Sequence, residues 1–294
     1  MTVEALDGTL VSREHRLHDL IASFDSVIVA FSGGVDSAFL AWSSTQVLGS
    51  RALCVTADSP SYPDHHRQLA LRIAREFRLN HEFVRTAEMD RPEYRANPVD
   101  RCYYCKHELY TVLSNLAAAR GVSTIFDGSN ADDRRDYRPG RKAAREHGVR
   151  SPLDESELTK ADIRELSKRA GLPTWDEPAS ACLSSRIPYH SEVTAEKLRM
   201  IECAENVLRE HGFRIFRVRH HDAPIDDASG DSEHGGAALA RLELGSDDIV
   251  RALEPQMRER IAVALRALGY RHVTIDLRGY RMGSLNEGVR LRPA

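Results

Sequence analysis

Short apolar runs alternate with amphipathic stretches along the first half of the chain. Three runs have the length of a buried strand: 27–31, 52–57 and 123–126. Apolar residues three and four apart predict helices: 38–48, 65–79 and 106–120. This alternation predicts parallel strands joined by helical crossovers, an α/β fold with a doubly wound, mainly parallel sheet. Because the carboxyl ends of such strands share one edge, Ala30, Asp58 and Asp127–Gly128 should lie on the ligand side.

A second set of elements begins past about residue 190. It consists of predicted helices and strands: 194–210, 213–219, 238–244, 247–268 and 272–277. They predict a smaller C-terminal α/β domain, so that the domains span 1–188 and 189–294. Just upstream, Thr159 has the position of an N-cap for a helix that Gly171-Leu172-Pro173 closes. The polar stretch from His221 to Gly236 predicts a mobile surface insertion.

The segment between the first predicted strand and its helix reads Ser32-Gly33-Gly34-Val35-Asp36-Ser37. A strand-to-helix turn presents unpaired backbone N–H groups and the positive helix end, which together bind phosphate. The two glycines allow an anion to approach closely, and the two serines add hydroxyl donors. Asp36 predicts a magnesium partner, because a carboxylate beside polyphosphate needs a hard cation. Neither the Walker nor the dinucleotide spacing is present, and the alternative is an ordinary serine-capped Gly-Gly turn.

Composition narrows the classes of protein. The chain has 294 residues, of which 41% are hydrophobic and 29% charged, as in soluble globular proteins. Its formal net charge of -3 argues against a nucleic-acid partner, since phosphate binding depends on clustered cations. We find no long apolar run and no signal-like N-terminus, so a cytoplasmic protein without a membrane partner is expected. Five cysteines, an odd number, fit a reducing compartment.

The cysteines differ in their settings. Cys102 and Cys105 form a Cys-x-x-Cys at a predicted helix start, which fits a metal or iron–sulfur ligand pair, a redox dithiol or two incidental thiols. Cys54 and Cys203 lie in amphipathic or apolar stretches and are expected to be structural. Cys182 stands in a loop of small residues, where a reactive or metal-bound thiol competes with a structural one. A pair plus a single cysteine can hold three irons of a [4Fe–4S] cluster and leave one iron open to sulfide.

The hexapeptide at 32–37 resembles the pyrophosphate loop of the ATP pyrophosphatase superfamily, whose members cleave ATP between the α and β phosphates. Four further stretches resemble one branch, the LarE family of ATP-dependent sulfur transferases: Arg101-Cys102-Tyr103-Tyr104-Cys105-Lys106, Asp136-Tyr137-Arg138-Pro139-Gly140, Ala181-Cys182-Leu183-Ser184-Ser185-Arg186-Ile187-Pro188-Tyr189 and Arg217-Val218-Arg219. The likeness runs over nearly the whole chain. It implies an adenine nucleotide alpha-hydrolase-like fold.

The resemblance also implies a reaction. MgATP would adenylate carboxylates of a pyridinium-3,5-dicarboxylic acid mononucleotide, and sulfur would replace AMP to give the thiocarboxylates of the nickel-pincer nucleotide cofactor. Some members sacrifice a cysteine, whereas others hold a [4Fe–4S] cluster on three cysteines. This chain resembles the second kind, with Cys102, Cys105 and Cys182. In sacrificial members the reactive cysteine falls one position earlier, where this chain has Ala181, so sacrifice of Cys182 is the less favoured alternative. An external sulfur donor and a homo-oligomer are implied as partners.

The expected site residues follow from these motifs and the resemblance. Asp36 and Cys182 are expected to be catalytic, and Cys102, Cys105 and Cys182 to bind the cluster. The nucleotide-binding residues are expected to be Ser32, Gly33, Gly34, Asp36, Ser37, Asp58 and Gly128. The substrate-binding residues are expected to be Ser184, Ser185, Arg186, Arg217 and Arg219. Arginine suits an anionic nucleotide, and a spacing of two puts the last two arginines on one face of a strand.

Three alternative functions remain open at this point. An ATP-dependent tRNA thiolase would share the loop and the three cysteines, but it would need an RNA-binding domain, and none is evident. A non-catalytic sensor would bind adenine nucleotide and respond to metal or redox state through Cys102 and Cys105. A nitrogen-transferring synthetase would leave the cysteines without a role.

Overall fold

The computed structural model of the chain describes residues 3–135, 138–178, 181–222 and 238–287. These residues form two compact units. Unit one contains 3–88, 100–135 and 138–178, and unit two contains 89–99, 181–222 and 238–287. The domain boundary between residues 188 and 189 stays a prediction, because compactness alone does not show where an independently folding domain ends.

The strands of the described residues are β1 (Val27–Ala30), β2 (Ala52–Asp58), β3 (Asn80–Arg85), β4 (Thr124–Phe126), β5 (Phe216–Asp222), β6 (Ala238–Leu244) and β7 (Tyr270–Ile275). The α-helices are α1 (Val3–Ala22), α2 (Val35–Leu48), α3 (Asp64–Glu76), α4 (Pro92–Arg95), α5 (Arg101–Arg120), α6 (Gly140–Glu146), α7 (Pro152–Glu155), α8 (Lys160–Arg169), α9 (Ala195–Glu210), α10 (Ser246–Leu253) and α11 (Pro255–Ala267). Among the described residues, no helix is long and apolar enough to cross a lipid bilayer.

Unit one is built on a four-stranded parallel sheet with the order β3-β2-β1-β4. The chain winds outward from β1 through β2 to β3 and then returns to place β4 on the other side of β1. The carboxyl end of β1 is therefore a topological switch point, where open α/β sheets bind ligands. This confirms the predicted doubly wound α/β fold.

The central strand of unit one packs against helices on both faces. Val27 and Val29 join an apolar cluster with α1, α2, α3 and α8. Ile28, between them in sequence, joins a second cluster with α5 and α6. The alternation follows from the strand period of two, and it explains why the run is continuously apolar. The buried strand thereby fixes where the loop after it begins.

Unit two contains a three-stranded mixed sheet with the order β5-β6-β7. Along β6, Ala240, Leu242 and Leu244 belong to the apolar core, which also includes residues of α9 and α11. Side chains alternate along a strand, so Glu243 lies on the opposite face. The antiparallel register of β5 and β6 pairs Arg217 with Glu243, so the arginines of β5 share that charged face.

Two predicted features have a clear outcome in this fold. The capped helix after Thr159 is confirmed: Thr159 Oγ1 accepts a hydrogen bond from Asp162 N at 3.2 Å, and Asp162 Oδ2 accepts one from Thr159 N at 2.9 Å. The single helix predicted over 247–268 is wrong, because the chain bends at Glu254 (ψ 135°) and Pro255 begins a new helix. Proline lacks the N–H that would continue the preceding helix. The predicted insertion from His221 to Gly236 lies almost entirely outside the described residues.

Candidate functional site

The turn from β1 to α2 lies at the carboxyl edge of the sheet in unit one. Gly33 has a φ of +71°, a conformation that favours glycine. Gly34 precedes α2 and provides no side-chain cap. Ser32 N donates to Ser37 Oγ at 3.1 Å, and Ser37 Oγ donates to the Gly34 carbonyl at 3.1 Å. The serines therefore hold the turn in shape while the first N–H groups of α2 are left to an anion.

Two close approaches surround this turn. A Cβ atom on Gly128, just after β4, would lie 3.1 Å from the backbone nitrogen of Ser37. A Cβ atom on Gly33 would lie 3.0 Å from the carbonyl oxygen of His66, in the first turn of α3. Both positions therefore need glycine for α2, α3 and the end of β4 to pack. Gly128 accordingly lies beside the loop, and its role in nucleotide binding stays a prediction.

Asp36, in the first turn of α2, faces a cation that the sequence did not single out. Lys160 Nζ, at the start of α8, lies 2.6 Å from Asp36 Oδ2, and the Lys160 backbone N–H donates to Asp132 at 2.8 Å. The other oxygen, Asp36 Oδ1, is buried and has no hydrogen-bond partner among the described residues. Burial and, to a smaller extent, the charge of Asp36 raise the pKa of Asp133. An orphaned carboxylate oxygen in acidic surroundings fits a hard divalent cation such as Mg²⁺.

The acidic residues at the other strand ends are held by contacts within the protein. Asp58, the last residue of β2, forms an ion pair of 2.5 Å with Arg67 on α3. Asp127 is buried and accepts hydrogen bonds from Tyr110 at 3.0 Å and Ser151 at 2.7 Å. Asp127 therefore fixes the backbone that carries Gly128. A nucleotide-binding role of Asp58 stays a prediction.

The Cys-x-x-Cys pair lies in the first two turns of α5 in unit one, at the helix start that the sequence predicted. Cys102 is exposed and Cys105 is half-buried, and neither forms a disulfide. Residues three apart on a helix share a face, so the two thiols lie on one side of α5. By contrast, Cys54 is fully buried, which raises the pKa of its thiol to about 12. The pair thus has the setting of a ligand pair, whereas Cys54 is a core residue.

Cys182 belongs to unit two and precedes a short 3-10 helix, Leu183–Arg186. Arg186, which is 3% exposed, pairs with Glu205 through hydrogen bonds of 2.7 and 3.0 Å. Its remaining nitrogen donates to the carbonyl of Ala181 at 2.7 Å and to that of Cys182 at 3.2 Å. Burial lowers the pKa of Arg186, but Glu205 outweighs this and raises it. The pair therefore anchors the backbone at Cys182.

Arg217 and Arg219 lie side by side on β5, but their surroundings differ. Arg219 is 1% exposed and donates to the Ser185 carbonyl at 2.5 Å, to Glu243 at 2.9 Å and to Ser284 at 2.7 Å. Arg217 donates to Tyr280 at 3.3 Å, with its guanidinium 4.9 Å from the ring centroid.

Within the part of the chain that the structure describes, no carboxylate lies within ion-pair distance of Arg217. Burial, followed by the charges of Arg186 and Arg219, lowers the pKa of Arg217. An unneutralised, buried guanidinium next to two others creates a positive site that suits an anion.

The two predicted serine ligands have hydroxyls that are already engaged. Ser184 is fully buried, and its Oγ lies 2.5 Å from the hydroxyl of Tyr94. Ser185 Oγ accepts a hydrogen bond from Arg186 at 3.0 Å. Asn97 donates to the carbonyls of Pro188 at 2.7 Å and Ser191 at 3.0 Å, so the segment 89–99 packs on this part of unit two. Substrate binding by the two serines stays a prediction.

The chain resembles proteins of several organisms. It is 41% identical over 277 residues to an uncharacterised protein of Synechocystis, covering 94% of this chain and 98% of the relative. It is 33% identical over 281 residues to the pyridinium-3,5-bisthiocarboxylic acid mononucleotide synthase of Lactiplantibacillus plantarum, covering 95% of this chain and 96% of the relative. The chain belongs to the LarE family. No family model matches the chain.

A weaker similarity extends beyond the LarE family. One subunit of the glutamine-hydrolysing GMP synthase of Methanopyrus kandleri is 26% identical over 207 residues, or 62% of each chain. This partial match carries no functional argument for the LarE protein.

Proposed function

We propose that this LarE protein is an ATP-dependent sulfur transferase that converts carboxylates of a pyridinium-3,5-dicarboxylic acid mononucleotide into thiocarboxylates. The observation that carries the proposal is the uncapped Ser-Gly-Gly turn at the switch point of the sheet, with Asp36 and Lys160 beside it. The relative that is named as the synthase of the bisthiocarboxylic acid mononucleotide supports the choice of substrate.

The first half-reaction is assigned to unit one. The loop N–H groups and Ser32 would bind the phosphates of ATP, and Gly33, Gly34 and Gly128 keep that space open. Mg²⁺, which fits the orphaned oxygen of Asp36, would neutralise phosphate charge. A substrate carboxylate oxygen attacks the α-phosphorus, the α–β bond breaks and pyrophosphate leaves. Lys160, which neutralises Asp36 in this structure, is a second cation for the departing charge.

The second half-reaction replaces AMP by sulfur. A sulfide sulfur attacks the activated carbonyl carbon, and AMP leaves with the former carboxylate oxygen. Cys102, Cys105 and Cys182 are the proposed ligands of a [4Fe–4S] cluster, which when bound would present the sulfide. Thiolates are the ligands that iron–sulfur clusters require, and these residues form no disulfide among the described residues. A cytoplasmic location belongs to the proposal because thiolates need a reducing compartment.

The anionic substrate is assigned to unit two, where Arg217 offers a guanidinium without a carboxylate partner among the described residues. Arg219 and Arg186 add positive charge, but most of their N–H groups hold Glu243, Glu205 and backbone carbonyls. We therefore assign substrate binding mainly to Arg217 and positioning to the other two.

Adenylation is tested with a substrate whose carboxylates carry oxygen-18. The proposal predicts that the label moves into the phosphate of AMP, because the attacking oxygen leaves with AMP. The Asp36→Asn variant should form no AMP, whereas Asp19→Asn, at an exposed position of α1, should behave as wild type. Label that stays out of AMP would contradict the proposal.

The cluster is tested separately by iron and acid-labile sulfide analysis after oxygen-free reconstitution. About four irons per chain are expected in the wild type and in Cys203→Ser. The Cys102→Ser variant should contain much less iron. Equal iron content in all three proteins would remove Cys102 from the ligand set without affecting the adenylation proposal.

A further inference from the structure

A group of metal-ligating side chains lies in unit one apart from the residues assigned above. It consists of His65 and His66, in the first turn of α3, and Glu177, beyond the end of α8. One ligand atom of each lies within 4.8 Å of those of the other two. His65 Nε2 is 3.3 Å from Glu177 Oε1.

These distances suit a tetrahedral ion. Zinc binds imidazole nitrogen at about 2.0–2.1 Å and carboxylate oxygen at about 2.0–2.2 Å, so two ligand atoms on one zinc lie about 3.3–3.5 Å apart. The separation of His65 and Glu177 already has this value. A ring nitrogen of His66, within 4.8 Å of a ligand atom of each of the other two residues, is the third donor.

Hydrogen bonds hold the backbone that carries these side chains: the two histidines lie on helix α3, and the Glu177 backbone is bonded on both sides. The Glu177 N–H donates to the Thr174 carbonyl at 3.1 Å, and Arg164 donates to the Glu177 carbonyl at 2.7 Å. His66 is 7% exposed, whereas the side chains of His65 and Glu177 are 36% and 25% exposed. One ligand is therefore fixed in the interior, and the other two leave a path for an ion from solvent.

We propose that His65, His66 and Glu177 form a binding site for a first-row divalent cation of the zinc class. Two imidazoles and one carboxylate favour Zn²⁺ or Co²⁺ over Mg²⁺, and a water molecule takes the fourth position. The ion would join the start of α3 to the segment after α8. Since the His66 carbonyl packs against Gly33, a bound ion would also stiffen the surroundings of the phosphate loop. The site uses none of the residues assigned to sulfur transfer.

The test is a Co²⁺ titration of chelator-treated, metal-free protein, followed by visible absorption, with Zn²⁺ as competitor. The titration is carried out in the variant with Cys102, Cys105 and Cys182 changed to Ser, because these thiolates would themselves bind Co²⁺, and we expect one ion per chain. Glu177→Gln and His65→Gln should each weaken binding by more than about 100-fold, because even the loss of a partner outside the first ligand shell costs 10–100-fold. The matched control His15→Gln, at an exposed position of α1, should bind Co²⁺ as tightly as its parent protein.

Circular dichroism shows whether each variant is folded. If a histidine variant does not fold, the Co²⁺ affinity of Glu177→Gln tests the proposal. The absence of binding at about 1 mM Co²⁺ would overturn the proposal, since the group would then be an ordinary His–Glu ion pair. Binding that follows the cysteines, or that survives Glu177→Gln and His65→Gln unchanged, would overturn it as well.

Discussion

The Glu205→Gln substitution tests whether the Arg186–Glu205 pair supports unit two. It preserves the side-chain volume but removes the charge that balances Arg186. Both side chains are only 4% exposed, so solvent screens their interaction little. Arg186 would remain charged among carbonyl oxygens, and an amide N–H would face its Nη2.

The expected loss in the free energy of unfolding follows from this burial. Removing one partner of a buried ion pair costs about 3–5 kcal/mol, because the other charge is left uncompensated. Replacing both partners by apolar residues of similar size is often neutral or stabilising, so the double variant Arg186→Met with Glu205→Leu should recover most of the loss. The exposed pair Arg169–Glu165, with 45% and 48% exposed side chains, is the control, and Glu165→Gln should cost under about 1 kcal/mol.

Urea unfolding followed by circular dichroism measures these free energies. Tryptophan fluorescence does not suit the purpose, because Trp42 and Trp175 both lie in unit one. If Glu205→Gln lowers the free energy of unfolding by less than about 1 kcal/mol, Glu205 does not compensate a buried charge on Arg186. The folded double variant should also lose sulfur transfer while it keeps adenylation, because Arg186 no longer holds the carbonyls of Ala181 and Cys182.

Three further predictions concern unit one. Lys160→Met should lower AMP formation by at least about 10-fold by removing a cation next to Asp36, and an unchanged rate would remove Lys160 from the site. Gly128→Ala should weaken ATP binding, measured by calorimetry, because its Cβ would lie 3.1 Å from the α2 backbone, whereas Gly8→Ala has open space and should bind ATP normally. With a thiol pKa raised to about 12, Cys54 should resist alkylation at neutral pH while exposed Cys102 reacts, and rapid labelling of Cys54 in folded protein would contradict its burial.

The sequence predicted the elements whose signals are local. The continuous apolar run at Val27 indicated a strand buried on both faces, and the glycines after it indicated the loop. β3 gave no such signal, because its sequence Asn-His-Glu-Phe-Val-Arg mixes polar and apolar residues along a partly exposed strand. Pro255 is a local signal for the break between α10 and α11, and the prediction of a single helix over 247–268 did not use it.

The partners in the candidate site were harder to predict. Lys160 lies 124 residues from Asp36 in sequence, and Glu205 lies 19 residues from Arg186, so no local spacing connects them. Only the folded arrangement shows that Arg186 and Arg219 are neutralised, whereas Arg217 has no carboxylate partner among the described residues. Motif reasoning assigned all three arginines the same role for this reason.

The central claim is that ATP cleavage and sulfur insertion are coupled in one reaction. The most direct measurement is a single-turnover assay without oxygen, in which the pyridinium dicarboxylic acid mononucleotide, MgATP and sulfide are mixed with the reconstituted protein. AMP, pyrophosphate and the thiocarboxylate are then quantified by mass spectrometry. We expect that AMP and thiocarboxylate appear in equal amounts, that each requires the substrate, and that Asp36→Asn yields neither. Formation of ADP, or of AMP without incorporation of sulfur into the substrate, would contradict it.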